Sequence, residues 1–280
     1  MTNNARIVDK NWSDDATISA ITSEAGDFVK GNLQNTQPQS VWRSTSAVAQ
    51  VIDFDLGNEQ GVRALVLYNT NLSIAATVKL EGASDSGFTT IVSTTTKTPV
   101  TPKYGWGEFP WGNIGWGGYD EDDINLTNYS IIWITLTSAR YWRLTITDTT
   151  NADGYVEIGR LIIGDYISPA INVEYGYSLN WIDPSEQSRT RGSAIRSTNI
   201  TPFRRITFSY QFLDQTEAFR MHELKRDVGK RKDILFSLVP EEDTARERIN
   251  TLLGRPVEWS SLLYKSVNRH EQEFTIEESI

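Results

Sequence analysis

Side chains able to do covalent or acid–base chemistry are scarce in this chain. It has no cysteine, which removes thiolate nucleophiles, disulfides and zinc–sulfur sites together. Its two histidines, His222 and His270, stand in no hydrolase or metalloprotease spacing, and no phosphate-binding or dinucleotide-binding glycine motif occurs. His222 reads as a helix-surface residue and His270 as the opening of a terminal strand. The cluster Asp120-Glu121-Asp122-Asp123 could hold calcium through its oxygens, but its spacing is not that of a calcium-binding loop, and a solvated acidic turn is the simpler reading. Carboxylate pairs of the glycosidase kind declare themselves only in three dimensions. The expectation is a protein that is not an enzyme, with no metal and no cofactor; a glycan-degrading enzyme is the least favoured reading.

Residues suited to non-covalent recognition are more plentiful. Between Thr96 and Asn128, Trp106, Trp111 and Trp116 recur every five residues, each followed by glycine, with Tyr104, Phe109 and Tyr119 close by. One reading is an exposed aromatic platform for sugar rings or a partner protein. The other, which weighs more, is a glycine-rich excursion whose rings lie flat on their own or a neighbouring subunit. Gln187 to Pro202 carries Arg189, Arg191 and Arg196 and no acidic residue, so it reads as a long hairpin loop. It is either simply solvated or an arm that crosses to a neighbouring subunit or touches DNA, and the near-neutral charge of its surroundings favours the neighbour. Finally, Glu271, Glu273, Thr275 and Glu277 alternate with Gln272, Phe274 and Ile276, giving the last strand an acidic face.

The elements that must position these residues centre on Thr201 to Val239. From Arg205 to Phe212 the sequence alternates, with Ile206, Phe208, Tyr210 and Phe212 on one face and Arg205, Thr207, Ser209 and Gln211 on the other, the period of a half-buried strand. Asp214 offers a helix N-cap with Glu217 three residues on, and Ala218, Met221, Leu224 and Val228 follow at helical spacing until Gly229. Ile234 to Val239 is a second strand, ended by Pro240. Val173 to Trp181 reads as the strand that opens this domain, and Glu241 to Leu253 as either a short helix stopped by Gly254 or the approach to a strand. Glu258 to Val267 and Gln272 to Ile276 complete the sheet.

A length of 280 residues accommodates two domains. The net charge is -9; residues 1–165 hold 11 basic and 19 acidic side chains, and residues 166–280 hold 16 and 17, so the imbalance lies almost wholly in the first part. Such a surface repels nucleic acid and anionic membranes. No apolar run approaches the length of a membrane span, and the first residues lack the apolar core of a signal peptide, so synthesis in a cytoplasm is expected.

From Arg6 to about Gly164 short runs rich in Val, Ile, Leu, Thr and aromatics alternate with Gly, Asn, Asp and Ser, the pattern of a β-sandwich. Val51 to Gly57 is one strand, Ala64 to Tyr68 an interior strand, and Ile131 to Leu136 and Tyr141 to Ile146 a pair joined by Thr137 to Arg140. Trp42-Arg43-Ser44, Val51 to Gly57, Leu65 to Asn69, Tyr141 to Leu144 and Gly154 to Gly164 come in an order that resembles the discoidin family, a galactose-binding-like jelly roll. The chain departs from that family in lacking the cysteine pair that staples many of its members and in the insertion between Thr96 and Asn128.

The C-terminal third, Tyr166 to Ile280, with its strands, covering helix and acidic closing strand, resembles the tube-forming domain of long-tailed phage tail proteins, in particular distal tail proteins. The two resemblances together imply a mainly β fold: a discoidin-like jelly-roll β-sandwich over residues 1–165 and an α+β tail-tube-like domain over 166–280. They imply a structural virion protein of the tail tip or baseplate, assembled in the host cytoplasm. It would form a homo-oligomeric ring, by resemblance a hexamer, between the tail tube and the tail-tip hub. DNA would pass through the ring without specific binding. A channel wall that lets DNA slide must be neutral or acidic, which makes Glu271, Glu273, Thr275, Glu277, Thr207, Ser209 and Gln211 the expected lumen face, with Arg205 pairing a glutamate across strands. Arg189, Arg191 and Arg196 form the expected inter-subunit arm. The alternative is a carbohydrate-binding, receptor-binding module that contacts a host glycan through Trp106, Trp111, Trp116 and Tyr119.

Overall fold

The computed structural model describes residues 4–73, 75–98, 129–240, 247, 249–267 and 269–279. The Trp-Gly insertion with Trp106, Trp111, Trp116 and Tyr119, and the acidic cluster after it, lie outside the described residues. The described chain is mainly antiparallel β-structure, with one α-helix described over its whole length. Its strands are β1 (Arg6–Asn11), β2 (Thr17–Ile21), β3 (Trp42–Arg43), β4 (Gln50–Thr70), β5 (Thr77–Ala83), β6 (Ile91–Lys97), β7 (Tyr129–Thr147), β8 (Glu157–Ile167), β9 (Ser178–Ile182), β10 (Gln187–Arg189), β11 (Ile195–Ser197) and β12 (Phe203–Leu213). The helix α1 (Gln215–Val228) follows, then β13 (Ile234–Ser237), β14 (Thr251–Trp259), β15 (Leu263–Ser266) and β16 (Arg269–Glu278).

The chain divides into two units whose bounds interleave: Lys10–Tyr166 with Pro240–Asn250, and Met1–Asp9 with Ile167–Val239 and Thr251–Ile280. The interleaving reflects two exchanges of chain between the units. The first strand pairs with β13 (Arg6↔Ser237, Ile7↔Phe236, Val8↔Leu235), which draws the N-terminus into the C-terminal unit. Conversely, Glu247 is buried and accepts a 2.7 Å hydrogen bond from the indole of Trp133, so the 240–250 segment belongs with the first unit. Neither exchange leaves a local sequence signal, because each is a pairing between segments more than a hundred residues apart.

In the first unit β4 and β7 are long enough to serve two sets of strands. Their Val51–Asp55 and Tyr141–Thr145 halves pair with each other beside β2 and β5, with β6 outside β5. Their Ala64–Tyr68 and Tyr129–Trp133 halves pair again beside β8. Both sets feed one core that holds Trp42, Phe54, Leu65, Trp142, Ile158 and Leu161, the arrangement of a sandwich. Ala64 to Tyr68 is wholly buried between β7 and β8, as an interior strand should be. The expected hairpin at Thr137 to Arg140 does not form: β7 runs unbroken through it, and the irregularity falls on β4 between Asp55 and Gln60, where Gly57 has φ +76°. An irregular crossing there lets both strands pass between layers without a turn.

In the second unit the strand order is β1-β13-β14-β16-β12-β9, with β15 also on β16. One face of this sheet is apolar and carries α1. Ala218, Met221, Leu224 and Val228 are buried against a cluster in which the Phe208 ring stacks on Phe236 at 4.0 Å and on Phe274 at 5.3 Å. The helix begins with the expected reciprocal cap: the Asp214 carboxylate accepts from Glu217 N–H at 2.8 Å, and the Glu217 carboxylate accepts from Asp214 N–H at 2.9 Å. It ends at Gly229, with φ +55°, whose carbonyl accepts from the indole of Trp259 at 3.0 Å.

Two expectations for this unit need correction. The opening strand is β9, not Val173 to Trp181, because Gly176 turns the chain at φ +105° just before it. Gly254 lies inside β14 rather than stopping a helix; a Cβ there would sit 2.0 Å from the Glu277 carbonyl oxygen, so the close approach of β16 demands glycine.

Candidate functional site

The face of β12–β16 opposite the helix gathers most of the residues singled out from the sequence. Antiparallel register places Arg205 against Glu277, Thr207 against Thr275 and Ser209 against Glu273, while Ile206–Ile276, Phe208–Phe274 and Tyr210–Gln272 face the core. This is the alternation read from sequence, now with its partners: a pleated strand puts successive side chains on opposite faces, so both strands turn their polar set the same way.

Specific contacts hold this face together. Arg205 Nε donates to Glu277 Oε1 at 2.8 Å, the cross-strand pairing expected of the one cation on the polar face of β12. The Thr207 and Thr275 hydroxyls lie 3.1 Å apart. Ser209 donates its hydroxyl to Glu174 at 2.9 Å, and Glu174 N–H donates to the Ser209 carbonyl at 2.9 Å. Lys265 Nζ is 2.6 Å from Glu271, whose carboxylate raises the lysine above its ordinary pKa mainly by accepting its hydrogen bond. Glu273 and Glu258, exposed neighbours of this network, form no ion pair among the described residues.

Two members of the expected face behave differently. Register slips between Tyr210 and Leu213, so Gln211 sits in the bulge rather than opposite a β16 residue, and it is half-buried. The same slip turns Phe212 outward, 51% exposed, and gives its expected core place to Leu213. One extra residue in a strand inverts the facing of everything after it.

Sequence reasoning missed Glu174, Glu258 and Arg255 as members of the same surface. Glu258 stands opposite Thr275 and Arg255 opposite Glu277, but the shift between Pro256 and Glu258 hides their common facing from any period-two count. Arg255 Nε donates to Asp233 at 2.8 Å, so its charge is spent at the sheet's margin. Arg204, one residue before Arg205, faces the other way and is buried in an ion pair with Glu278, with Nε to Oε2 at 3.0 Å.

The remaining candidates lie apart from this face. Arg189, Arg191 and Arg196 belong to the separate two-stranded ribbon β10–β11. His222 is exposed on α1, and His270 lies edge-on to Tyr264 with ring centroids 5.1 Å apart. Among the described residues no group of three or more His, Cys, Asp or Glu is placed to hold a metal ion, and no helix is long and apolar enough to cross a membrane.

In the first unit the loop-end residue Arg43 is stacked between two rings, 4.1 Å from the centroid of Phe28 and 4.3 Å from that of Tyr155. Its Nε donates to Glu157 at 2.9 Å. On its sheet surface Asp53 accepts two hydrogen bonds from Arg143 at 2.7 and 2.8 Å, and Phe88 covers that guanidinium at 4.0 Å. Asp53's bonds are the main reason the Arg143 pKa is raised.

Fold and surface thus define a mainly antiparallel β protein whose second unit presents one greasy, helix-covered sheet face and one polar face. No protein-family model matches the chain, and no curated protein matches it either. Several solved structures are similar over about half of it. CBM32-3 from a family 31 glycoside hydrolase of Clostridium perfringens shares 18% identity over 54% of this chain and 92% of that one, with TM-score 0.37. Chitosan-binding module 1 of a Paenibacillus sp. IK-5 chitosanase/glucanase shares 19% over 56% and 99%, with TM-score 0.38. The lectin domain of lectinolysin, solved with Lewis B antigen, shares 13% over 55% and 95%, with TM-score 0.38.

Proposed function

We propose that this chain is a structural virion protein of a long-tailed phage. It would form a ring at the distal end of the tail tube that joins tube to tail tip and passes DNA. The observation that carries this reading is the two-faced sheet of β12 and β16. Its apolar face is closed by α1, whereas its other face offers hydroxyls and carboxylates with most cations paired: Arg205 to Glu277, Lys265 to Glu271 and Arg255 to Asp233, while Arg269 at the start of β16 donates to the Phe212 carbonyl at 3.4 Å. A wall of that composition suits a conduit for a polyanion, since carboxylates and hydroxyls outnumber the cations left to hold phosphate. The open edge at β9, bonded only to β12 within the unit, supplies a strand that a neighbouring copy can complete. Electron cryo-microscopy of assembled particles tests this directly. The expected image is a closed ring with Thr207, Glu273 and Thr275 facing the channel; a ring in which that face meets bulk solvent overturns it.

A second reading is glycan binding by the first unit. The feature favouring it is the loop-end stack of Phe28, Arg43 and Tyr155, which combines aromatic rings with charged side chains as sugar sites do. Trp106, Trp111, Trp116 and Tyr119 remain the alternative contact. Binding of the full chain to a glycan array, compared with Tyr155→Ala and Trp111→Ala, separates the two locations, and a blank array removes the reading.

A further inference from the structure

The β10–β11 ribbon has a chemistry that the preceding reading leaves unused. Its register is Gln187↔Ser197, Ser188↔Arg196 and Arg189↔Ile195, and its tip closes by Ser193 N–H donating to the Thr190 carbonyl at 2.9 Å. From Glu186 to Pro202 every residue is exposed except half-buried Thr190. Its root is held by Thr198 N–H to the Glu186 carbonyl at 3.0 Å and Glu186 N–H to the Thr198 hydroxyl at 2.8 Å. A two-stranded ribbon with nothing packed on it is marginal in water.

This ribbon also carries what a solvated loop would discard. Ile195 and Ile200 are 57% and 46% exposed. Arg189, Arg191 and Arg196 form no ion pair among the described residues, and no acidic side chain lies between Gln187 and Pro202.

Three occupants could cover it. A second ribbon is disfavoured because like charges would meet across the pair. Duplex DNA would satisfy the arginines, but it offers no apolar cover for Ile195 and Ile200. The rest of the chain, at a net charge of -12 once the ribbon's +3 is removed from -9, would also repel it. The remaining source of opposite charge is the chain itself: up to Asp165 the described residues carry 10 basic and 14 acidic side chains, a net -4.

We propose that β10–β11 is a docking arm that lies on the acidic 1–165 surface of a second copy of this chain, pairing its three arginines with carboxylates there and covering Ile195 and Ile200. The inference rests on the part of the preceding reading in which the chain assembles with itself, not on the channel or the phage.

Sedimentation velocity of the full chain over a range of concentrations, at about 0.05 M and about 0.5 M salt, tests it against the triple variant R189E/R191E/R196E and against I195S/I200S. Because the ribbon packs on nothing, both variants should keep the wild-type circular dichroism spectrum. The expected result is self-association of the wild type that weakens at high salt and falls at least about tenfold in the charge-reversed variant, with a smaller loss in I195S/I200S. Wild-type assembly that the triple variant reproduces at unchanged affinity overturns the arm while leaving the ring reading intact. A wild type that stays monomeric at every concentration overturns both. Retention of labelled duplex DNA by the wild type but not by the triple variant, with self-association unaltered, reassigns the arm to nucleic acid and overturns the proposal.

Discussion

The two units handle charge in opposite ways. In the first, arginines are matched within the unit: Arg140 with Asp55, Arg143 with Asp53, Arg160 with Asp14, Arg63 with Asp165 and Arg43 with Glu157. In the second, pairs form in the sheet and on α1, where Arg226 meets Asp227, while the ribbon's three arginines and the carboxylates of Glu258 and Glu273 have no ionic partner among the described residues. Apolar surface follows the same division. Among the described residues sixteen large apolar side chains are exposed, and eleven of them lie in the second unit, among them Tyr175, Trp181, Phe219, Tyr264 and Val267. Unpaired charge and exposed apolar groups gathered in one unit mark a surface that something else completes.

The comparison breaks first at its tightest backbone contacts. A Cβ at Gly254 would lie 2.0 Å from the Glu277 carbonyl oxygen, and one at Gly164 would lie 1.8 Å from that of Lys10. Gly254→Val should cost more than about 5 kcal/mol and abolish cooperative folding of the second unit. Gly164→Val should do the same to the first. Urea unfolding followed by tryptophan fluorescence reads both, and a wild-type-like transition in either variant contradicts the close approach. Next comes Phe208→Ala, which removes a ring stacked on Phe236 and Phe274 and should destabilise by about 3–5 kcal/mol in the same assay.

Smaller effects sharpen the contrast. Asp214→Ala removes the reciprocal cap of α1 and should cost about 1 kcal/mol, visible as a shift in urea midpoint with unchanged slope. Tyr210 is wholly buried and its hydroxyl has no hydrogen-bond partner among the described residues; burial first, then the charge of Glu217, pushes the phenol well above its ordinary value. Below the unfolded tyrosine pKa of about 10 both states keep the proton and stability is unaffected. As pH rises past that value the unfolded chain ionises first and stability is lost. Tyr210→Phe should therefore change stability by less than about 0.5 kcal/mol at neutral pH and delay alkaline unfolding; a variant that unfolds at the same alkaline pH as wild type refutes the burial.

Smallest of all is Asp85, held below the ordinary carboxylate range mainly by backbone N–H bonds from Thr89 and Thr90. Its contribution is complete above the unfolded aspartate pKa and fades as pH falls through the lower folded value. The stability gap between wild type and Asp85→Asn should accordingly be present at neutral pH and close in acid, and a gap that widens in acid would reverse the sign.

How much of this was legible beforehand varies with the range of the interaction. The cap at Asp214, the buried stripe Ala218, Met221, Leu224 and Val228, the stop at Gly229 and the two faces of β12 and β16 were all readable, because each depends on a side chain's relation to residues within one turn or one pleat. Phe212 was misplaced, and Glu258 and Arg255 were overlooked, because each lies beside a bulge, where an extra residue inverts facing without altering composition. The hairpin expected at Thr137 to Arg140 failed for a related reason: both halves look like strands, and only pairing with β4 along their whole length shows them to be one.

By itself the sequence determined the element types, the amphipathic faces, the cationic ribbon and the absence of thiol chemistry, since these follow from residue identity and short-range period. Only the tertiary structure decided that the N-terminal strand joins β13, that Glu247 reaches Trp133 and that Glu174, Glu258 and Arg255 share one surface with Glu277. Those are pairings between distant segments, chosen by which edges and buried polar groups remain to be satisfied once the local elements exist, and no local pattern encodes that choice.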